Sequence, residues 1–132
     1  MSDKQKLTPA EWEIMETVWQ LNKPVSVRDV LEHPNLNGKK AYTTLQTLMN
    51  ILVKKQLLTD EKIGLVKFYR PLKSRTEMVT AEMSSMIQRV FKGSTPAMAS
   101  FLLKNQQLQV KDIEEMKAIL TQRENQLRED ND

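Results

Sequence analysis

The sequence predicts a mainly α fold with one small β-hairpin: an N-terminal winged helix-turn-helix over residues 1–73, then a C-terminal helical region over 74–132. Three observations predict it. Leu45, Leu48, Met49, Leu52 and Val53 recur at the spacing of a single apolar helix stripe. Two short strand-like runs flank Lys62-Ile63-Gly64, directly after that helix. Beyond Lys73 the chain becomes Met-rich and its charge changes sign. Residues 1–73 carry 12 basic and 8 acidic side chains, a balance of +4, and residues 74–132 carry 8 and 9, a balance of −1.

The first helix starts at Thr8-Pro9-Ala10-Glu11. Thr8 caps, Pro9 suits the first turn, and Glu11 reaches back to close a capping box. Trp12, Ile14, Met15, Val18, Trp19 and Leu21 form its apolar face, so both tryptophans read as core. Pro24 cannot continue it. Ser26-Val27-Arg28-Asp29 opens a short second helix with Val27, Val30 and Leu31 inward, closed by His33-Pro34-Asn35. Asn35-Leu36-Asn37-Gly38 is a turn, and the third helix spans Lys39 to Lys55. Strands at Leu57 to Glu61 and Leu65 to Arg70 complete a hairpin that Pro71 stops, with Val66 and Phe68 on one face and Lys67 and Tyr69 on the other.

Ser74-Arg75-Thr76-Glu77 caps a Met-rich helix reaching Lys92, which Gly93-Ser94 breaks. Thr95-Pro96 starts a short helix, and a last one runs from Val110 to Arg128 with Ile113, Met116, Ile119, Leu120 and Leu127 inward. The tail Glu129-Asp130-Asn131-Asp132 is expected to fray. A helical unit this small is marginal alone. Pairing with a second copy would bury its stripes, so 74–132 reads as a dimerisation region, with methionine as adaptable packing.

The third helix has two differently furnished faces. Lys39, Lys40, Thr43, Gln46, Thr47, Asn50 and Lys54 lie opposite its apolar stripe. No Asp or Glu occurs between Glu32 and Asp60. Solvated helix faces usually mix charges. An acid-free face of Lys, Thr, Gln and Asn suits the major groove of double-stranded DNA, lysines meeting phosphates and amides and hydroxyls meeting base edges. Lys62, Lys67 and Arg70 of the hairpin stand where they can contact backbone phosphates beside the groove. A homodimer then implies a pseudo-palindromic operator with half-sites about one DNA turn, or a multiple, apart.

The chain has no cysteine, which excludes disulfides and thiolate metal sites and fits a reducing cytosol. No metal site and no cofactor are expected. No apolar run approaches the ~20 residues of a membrane span. The opening residues Met-Ser-Asp-Lys-Gln-Lys hold no apolar signal core, so a cytoplasmic protein is expected. Catalysis is disfavoured: the single histidine, His33, stands at a helix end, and neither a Gly-rich phosphate loop nor metal-ligand spacing is present. A winged-helix protein-interaction module and a non-specific nucleic-acid packaging protein remain as competing classes. The acid-free helix argues against the first and the modest net charge against the second.

Leu7-Thr8-Pro9-Ala10-Glu11-Trp12-Glu13-Ile14-Met15 with Val18-Trp19, Ala41-Tyr42-Thr43-Thr44-Leu45-Gln46-Thr47-Leu48-Met49 running into Leu52-Val53-Lys54-Lys55, and Tyr69-Arg70-Pro71-Leu72 carry a resemblance. The chain resembles the penicillinase/methicillinase repressor family of bacteria (BlaI/MecI/CopY), over nearly all of 5–125 and weakly after 74. The resemblance implies a homodimeric winged-helix repressor that blocks a promoter, of a resistance or stress operon, until a signal removes it. Carried onto matching positions, it adds Tyr42 and Thr44 to Lys40, Thr43 and Thr47 as DNA contacts, with Lys62 and Lys67 on the wing.

Several positions depart from the family pattern. Ile51 stands where the family often has Arg, and Gln56 where a Gly is common. The copper-responsive members carry a C-terminal Cys-x-Cys hook, which a cysteine-free chain lacks. The β-lactam-responsive members are cleaved by a sensor protease before a Phe, commonly after Asn. The nearest counterpart here is Ser100-Phe101, which matches the Phe and not the Asn.

Overall fold

A computed structural model describes residues 6–131. The expectations for residues 1–5, including the lack of a signal core, and for the final residue of the tail lie outside them. The described residues form two compact units that divide between Met86 and Ile87, inside a helix.

The first unit starts with α1 (Pro9–Leu21), whose capping box forms as expected. The Thr8 amide donates to Glu11 Oε1 at 2.9 Å, and the Glu11 amide donates to Thr8 Oγ1 at 3.2 Å. Asn22 ends the helix in the left-handed region at φ 52°. A second box, Ser26 with Asp29, opens α2 (Val27–Glu32). His33 Nδ1 accepts the Asn35 amide at 3.1 Å, which sets the start of the following turn. Inside that turn Leu36 is fully buried, an anchor its polar neighbours conceal.

The third helix, α3 (Tyr42–Lys54), begins later than the sequence predicts. Gly38 takes φ +80°, the Lys39 amide donates to the Leu36 carbonyl at 3.0 Å, and Ala41 is extended. The chain is still turning around Leu36 at Lys39 and Lys40, so both lysines precede the helix. Leu45, Met49 and Leu52 are fully buried, and Leu48 and Val53 pack against the same core. Burying such a side chain stabilises by about 1.5–3 kcal/mol relative to exposure. At the far end Gln56 adopts φ +64°, where Gly is the usual occupant.

Strands β1 (Leu58–Ile63) and β2 (Val66–Pro71) pair antiparallel, from Leu58 opposite Pro71 to Ile63 opposite Val66. The first strand runs two residues beyond the predicted Glu61. The turn is therefore Gly64-Leu65, not Lys62-Ile63-Gly64. Gly64 at φ +65° fills the first central position of a two-residue loop, which favours a residue free to take positive φ. A third short stretch joins this sheet. Val25 and Tyr69 exchange backbone hydrogen bonds at 2.9 and 2.7 Å. Tyr69 is consequently a core residue beside Val25, Leu57 and Leu58.

Two buried polar residues support α1. Thr17 donates to the Glu13 carbonyl at 2.8 Å and accepts from Asn35 Nδ2 at 3.3 Å, tying α1 to the turn before α3. Glu11 accepts from Lys55 Nζ at 2.8 Å, tying the start of α1 to the end of α3. Trp12 and Trp19 meet edge to face with centroids 6.1 Å apart, and Trp19 Nε1 donates to the Lys73 carbonyl at 3.0 Å.

Helix α4 (Arg75–Phe91) opens on the expected Ser74–Glu77 box. Its first turns belong to the first unit: Arg75 pairs with Glu16 at 2.8 Å and Met78 enters the core. In the second unit the Gly93 amide returns to the Ile87 carbonyl at 2.9 Å and closes the helix. Helix α5 (Thr95–Asn105) is capped by Ser94, and α6 (Val110–Asp130) continues through Glu129 and Asp130, where the sequence predicts fraying. Phe91 and Phe101 stack tilted at 6.0 Å. Neither α5 nor α6 buries a single residue fully. Ile113, Ile119, Leu120 and Leu127, predicted to point inward, are exposed, because the described unit has no further layer to cover them. Among the described residues, no helix is long and apolar enough to cross a membrane.

Candidate nucleic-acid interface

Packing of Leu45, Met49 and Leu52 into the core turns the opposite side of α3 outward. Tyr42, Thr43, Thr44, Gln46, Thr47 and Lys54 are exposed there, with Ile51 beside them. Asn50 is half-buried. Ala41 makes no side-chain cap and no acid lies in the first turn. The leading amides of α3 are thus left to an outside acceptor, and the helix dipole favours an anion there.

Carboxylates are absent from this stretch of sequence but not from its surroundings. Lys39 Nζ lies 3.8 Å from Glu13, which α1 brings alongside the turn. On the wing Lys67 lies 3.3 Å from Asp60, and Arg70 lies 3.4 Å from Glu61. Three of the predicted contact cations are therefore partnered. These pairs are solvent-exposed, each worth about 0–1 kcal/mol, so a phosphate can displace them. Lys40, Lys54 and Lys62 form no ion pair among the described residues. Lys62 stands directly opposite Lys67 in the hairpin register, so two cations share one face of the wing.

A cleft of about 410 Å³ separates α3 from the wing. Tyr42 and Gln46 line it from α3, Lys62, Leu65 and Lys67 from the wing, and Ser26 and Arg28 from the start of α2. Sequence reasoning missed Arg28, whose only signal is its place in the first turn of a helix preceding the exposed one. Leu65, at the wing tip, is 95% exposed.

At the inner end of the cleft, Tyr69 Oη donates to Asn50 Oδ1 at 2.9 Å. Lys67 Nζ approaches the same oxygen at 3.5 Å and sits 5.9 Å above the Tyr69 ring. Burial, with smaller effects of Asp60 and Tyr42, raises the Tyr69 hydroxyl pKa above its ordinary value. The phenol stays protonated and remains a donor.

Elsewhere, burial acts to raise the Glu11 carboxyl pKa. Hydrogen bonds from Lys55 and Thr8 and the Lys55 charge outweigh it and hold the group below its ordinary value. In the second unit, Ser100 and Phe101 lie within α5, and Phe101 is about half exposed. A protease takes up extended chain, so cleavage between them requires α5 to unwind. Ser100 also lines an apolar hollow with Ala99, Leu103 and Leu120. No group of three or more His, Asp or Glu is placed to hold a metal ion among the described residues.

The model of the penicillinase repressor family matches residues 7–122. The chain is 26% identical to the penicillinase repressor of Bacillus licheniformis over 94% of its own length and 96% of that protein. It is 24% identical to the methicillin resistance regulatory protein MecI of Mammaliicoccus sciuri, over 89% of this chain and 95% of the relative. A transcriptional regulator, BlaI of Mycobacterium tuberculosis, is 30% identical over 63% of this chain and 60% of its own. The matched span takes in the capped first helix, the exposed third helix, the wing and most of the C-terminal unit, and the chain belongs to the penicillinase repressor family.

Proposed function

We propose that this chain represses transcription by binding a pseudo-palindromic operator as a homodimer, with α3 in the major groove and the wing on the adjacent backbone. The observation that carries this reading is the outer face of α3. Tyr42, Thr43, Thr44, Gln46 and Thr47 are held outward by a fully buried opposite face, with no carboxylate among them. Hydroxyls and an amide suit base edges, and Lys40, Lys54 and Lys62 around them suit phosphates. The names of the relatives make a resistance operon the favoured class of target.

Dimerisation is assigned to residues 74–132 and DNA binding to residues 1–73. Support for the former is the apolar surface of the second unit, where Phe101, Leu102, Leu103, Ile119 and Leu120 are exposed in a single chain. Exposed apolar side chains gathered on so small a unit favour an interaction site.

Fluorescence anisotropy on DNA from the region upstream of the chain's own gene, against scrambled DNA, tests the reading. Two protomers should bind per site, with preference for the native sequence. Lys40, Lys54 and Lys62, without an ion pair among the described residues, give six phosphate contacts per dimer, hence a log–log salt slope of about −5. Equal binding to both DNAs would overturn sequence-specific repression. A dimer that binds no DNA would instead favour a protein-interaction module.

A further inference from the structure

The contacts among Asn50, Tyr69 and Lys67 bridge α3 and the wing. Asn50 shares a helix face with Gln46 and Tyr42, one and two turns away, and sequence alone places it with the base-reading groups. Its carbonyl oxygen is already engaged. It accepts the Tyr69 hydroxyl at 2.9 Å, with Lys67 Nζ at 3.5 Å from the same atom. Lysine is only a donor, so the amide must turn its oxygen inward and leave Nδ2 as the outward group. A bidentate Asn–adenine contact needs both amide atoms, and here one is committed. Tyr69 is itself anchored at the base of the hairpin: its ring is buried and its backbone is bonded to Val25.

We infer that Asn50 is a positioning residue, a latch that fixes the wing against α3 and so sets where Lys62 and Leu65 stand beside the reading face. The base of the hairpin is held by Leu57, Leu58 and the Tyr69 ring in the core. Toward its tip the hydrogen bonds to Asn50 from Tyr69 and Lys67 join it to α3, and an isolated hairpin is marginal by itself. Its tip carries Leu65 almost fully in solvent. With the latch closed, the tip meets DNA already ordered. With it open, binding must bear the cost of ordering the wing.

This inference rests on the proposed DNA-binding role only for its effect on affinity, and the experiment separates the two. The cysteine-free chain permits a single fluorophore on a Leu65→Cys variant. In the absence of DNA, Tyr69→Phe and Asn50→Ala should each lower the local anisotropy of the tip probe. Asn50→Asp keeps an acceptor for Tyr69 and Lys67 and should hold the probe at the wild-type value. In unlabelled protein, Tyr69→Phe should weaken operator binding by about 3- to 10-fold, the range spanned by one net hydrogen bond. The double variant Asn50→Ala/Tyr69→Phe should be no weaker than the poorer single variant. The phenol is buried, so loss of its hydroxyl removes no DNA contact. An unchanged tip probe in Tyr69→Phe and Asn50→Ala overturns the latch. Additive losses in the double variant also overturn it, and make Asn50 a direct contact. If the wild type binds no DNA, the proposed function fails and the probe alone still decides the latch.

Discussion

Replacing Lys55 with methionine should destabilise the N-terminal unit by about 3 kcal/mol at neutral pH. The Glu11 side chain is 2% exposed and Lys55 is 23% exposed, with Nζ 2.8 Å from Oε1. Removing one partner of a buried pair costs about 3–5 kcal/mol, because a charge remains without compensation. The lower end applies: the Thr8 amide still donates to Glu11, and the Lys55 end is partly wet. Lys55 also donates to the Lys6 carbonyl at 3.1 Å, a smaller contribution from the exposed side. Methionine keeps the length of the side chain, so little of the loss is packing.

The pH dependence supplies the sign. The Glu11 pKa is lowered in the folded protein relative to 4.5. The wild type therefore gains stability from this group above the unfolded carboxyl pKa and loses it as pH falls through the folded one. In Lys55→Met both lowering effects of Lys55 are lost while burial stays, so the folded Glu11 pKa rises relative to the wild type and protonation relieves the variant. The stability gap should be widest near pH 7 and narrow as the solution is taken below about pH 4. Urea unfolding followed by tryptophan emission reads this unit directly, since both tryptophans, Trp12 and Trp19, lie in α1. A loss below about 1 kcal/mol, or a gap as wide at pH 4 as at pH 7, would mean that the buried Glu11 charge does not depend on Lys55.

Gln56→Gly should raise stability by about 0.5–1 kcal/mol in the same urea assay, since relief of a left-handed non-glycine residue exceeds the added freedom of the unfolded chain. On operator DNA, Lys62→Ala should flatten the salt slope by about 1 for each protomer, and Arg70→Ala by less, because Glu61 already neutralises Arg70. Leu120→Glu, on the exposed apolar surface of α6, should weaken self-association at least about tenfold by analytical ultracentrifugation while leaving tryptophan-monitored unfolding of the first unit unchanged.

Local chemistry was legible wherever neighbours in sequence are also neighbours in space. Thr8 with Glu11, Ser26 with Asp29 and Ser74 with Glu77 cap their helices as the spacing predicts, and the stripe of α3 is buried as its period demands. The start of α3 was not legible, since nothing in Asn35-Leu36-Asn37-Gly38 shows that Leu36 is pulled into the core and keeps the chain turning through Lys40. The hairpin was legible as an element, but its turn slid to Gly64-Leu65 because a two-residue loop needs its glycine first. Tyr69 could not be placed by alternation, since its partner Val25 comes from between α1 and α2. The site divides likewise. Exposure of Tyr42, Thr43, Thr44, Gln46 and Thr47 follows from helix period, whereas the partners of Lys39, Lys67, Arg70 and Asn50 come from other segments.

That distribution of charge bears on how a repressor of this kind would work. Phosphate contacts supply affinity without sequence information, and base-edge contacts supply discrimination. Here Lys39, Lys67 and Arg70 are already partnered within the chain, while the hydroxyls and amide along the exposed side of α3 are neutral. On the proposed reading, one protomer then offers few unpaired cations at its reading face among the described residues, and its hold on arbitrary DNA is weak. Two protomers joined as proposed through their C-terminal units would double the phosphate contacts and raise the effective concentration of the second reading helix at its half-site. Only a correctly spaced pair of half-sites satisfies both helices at once, so sequence preference grows faster than non-specific affinity on dimerisation. On the proposed reading, the exposed apolar faces of α5 and α6 thus contribute to specificity as well as to assembly, and Leu120→Glu should reduce discrimination between operator and scrambled DNA along with affinity.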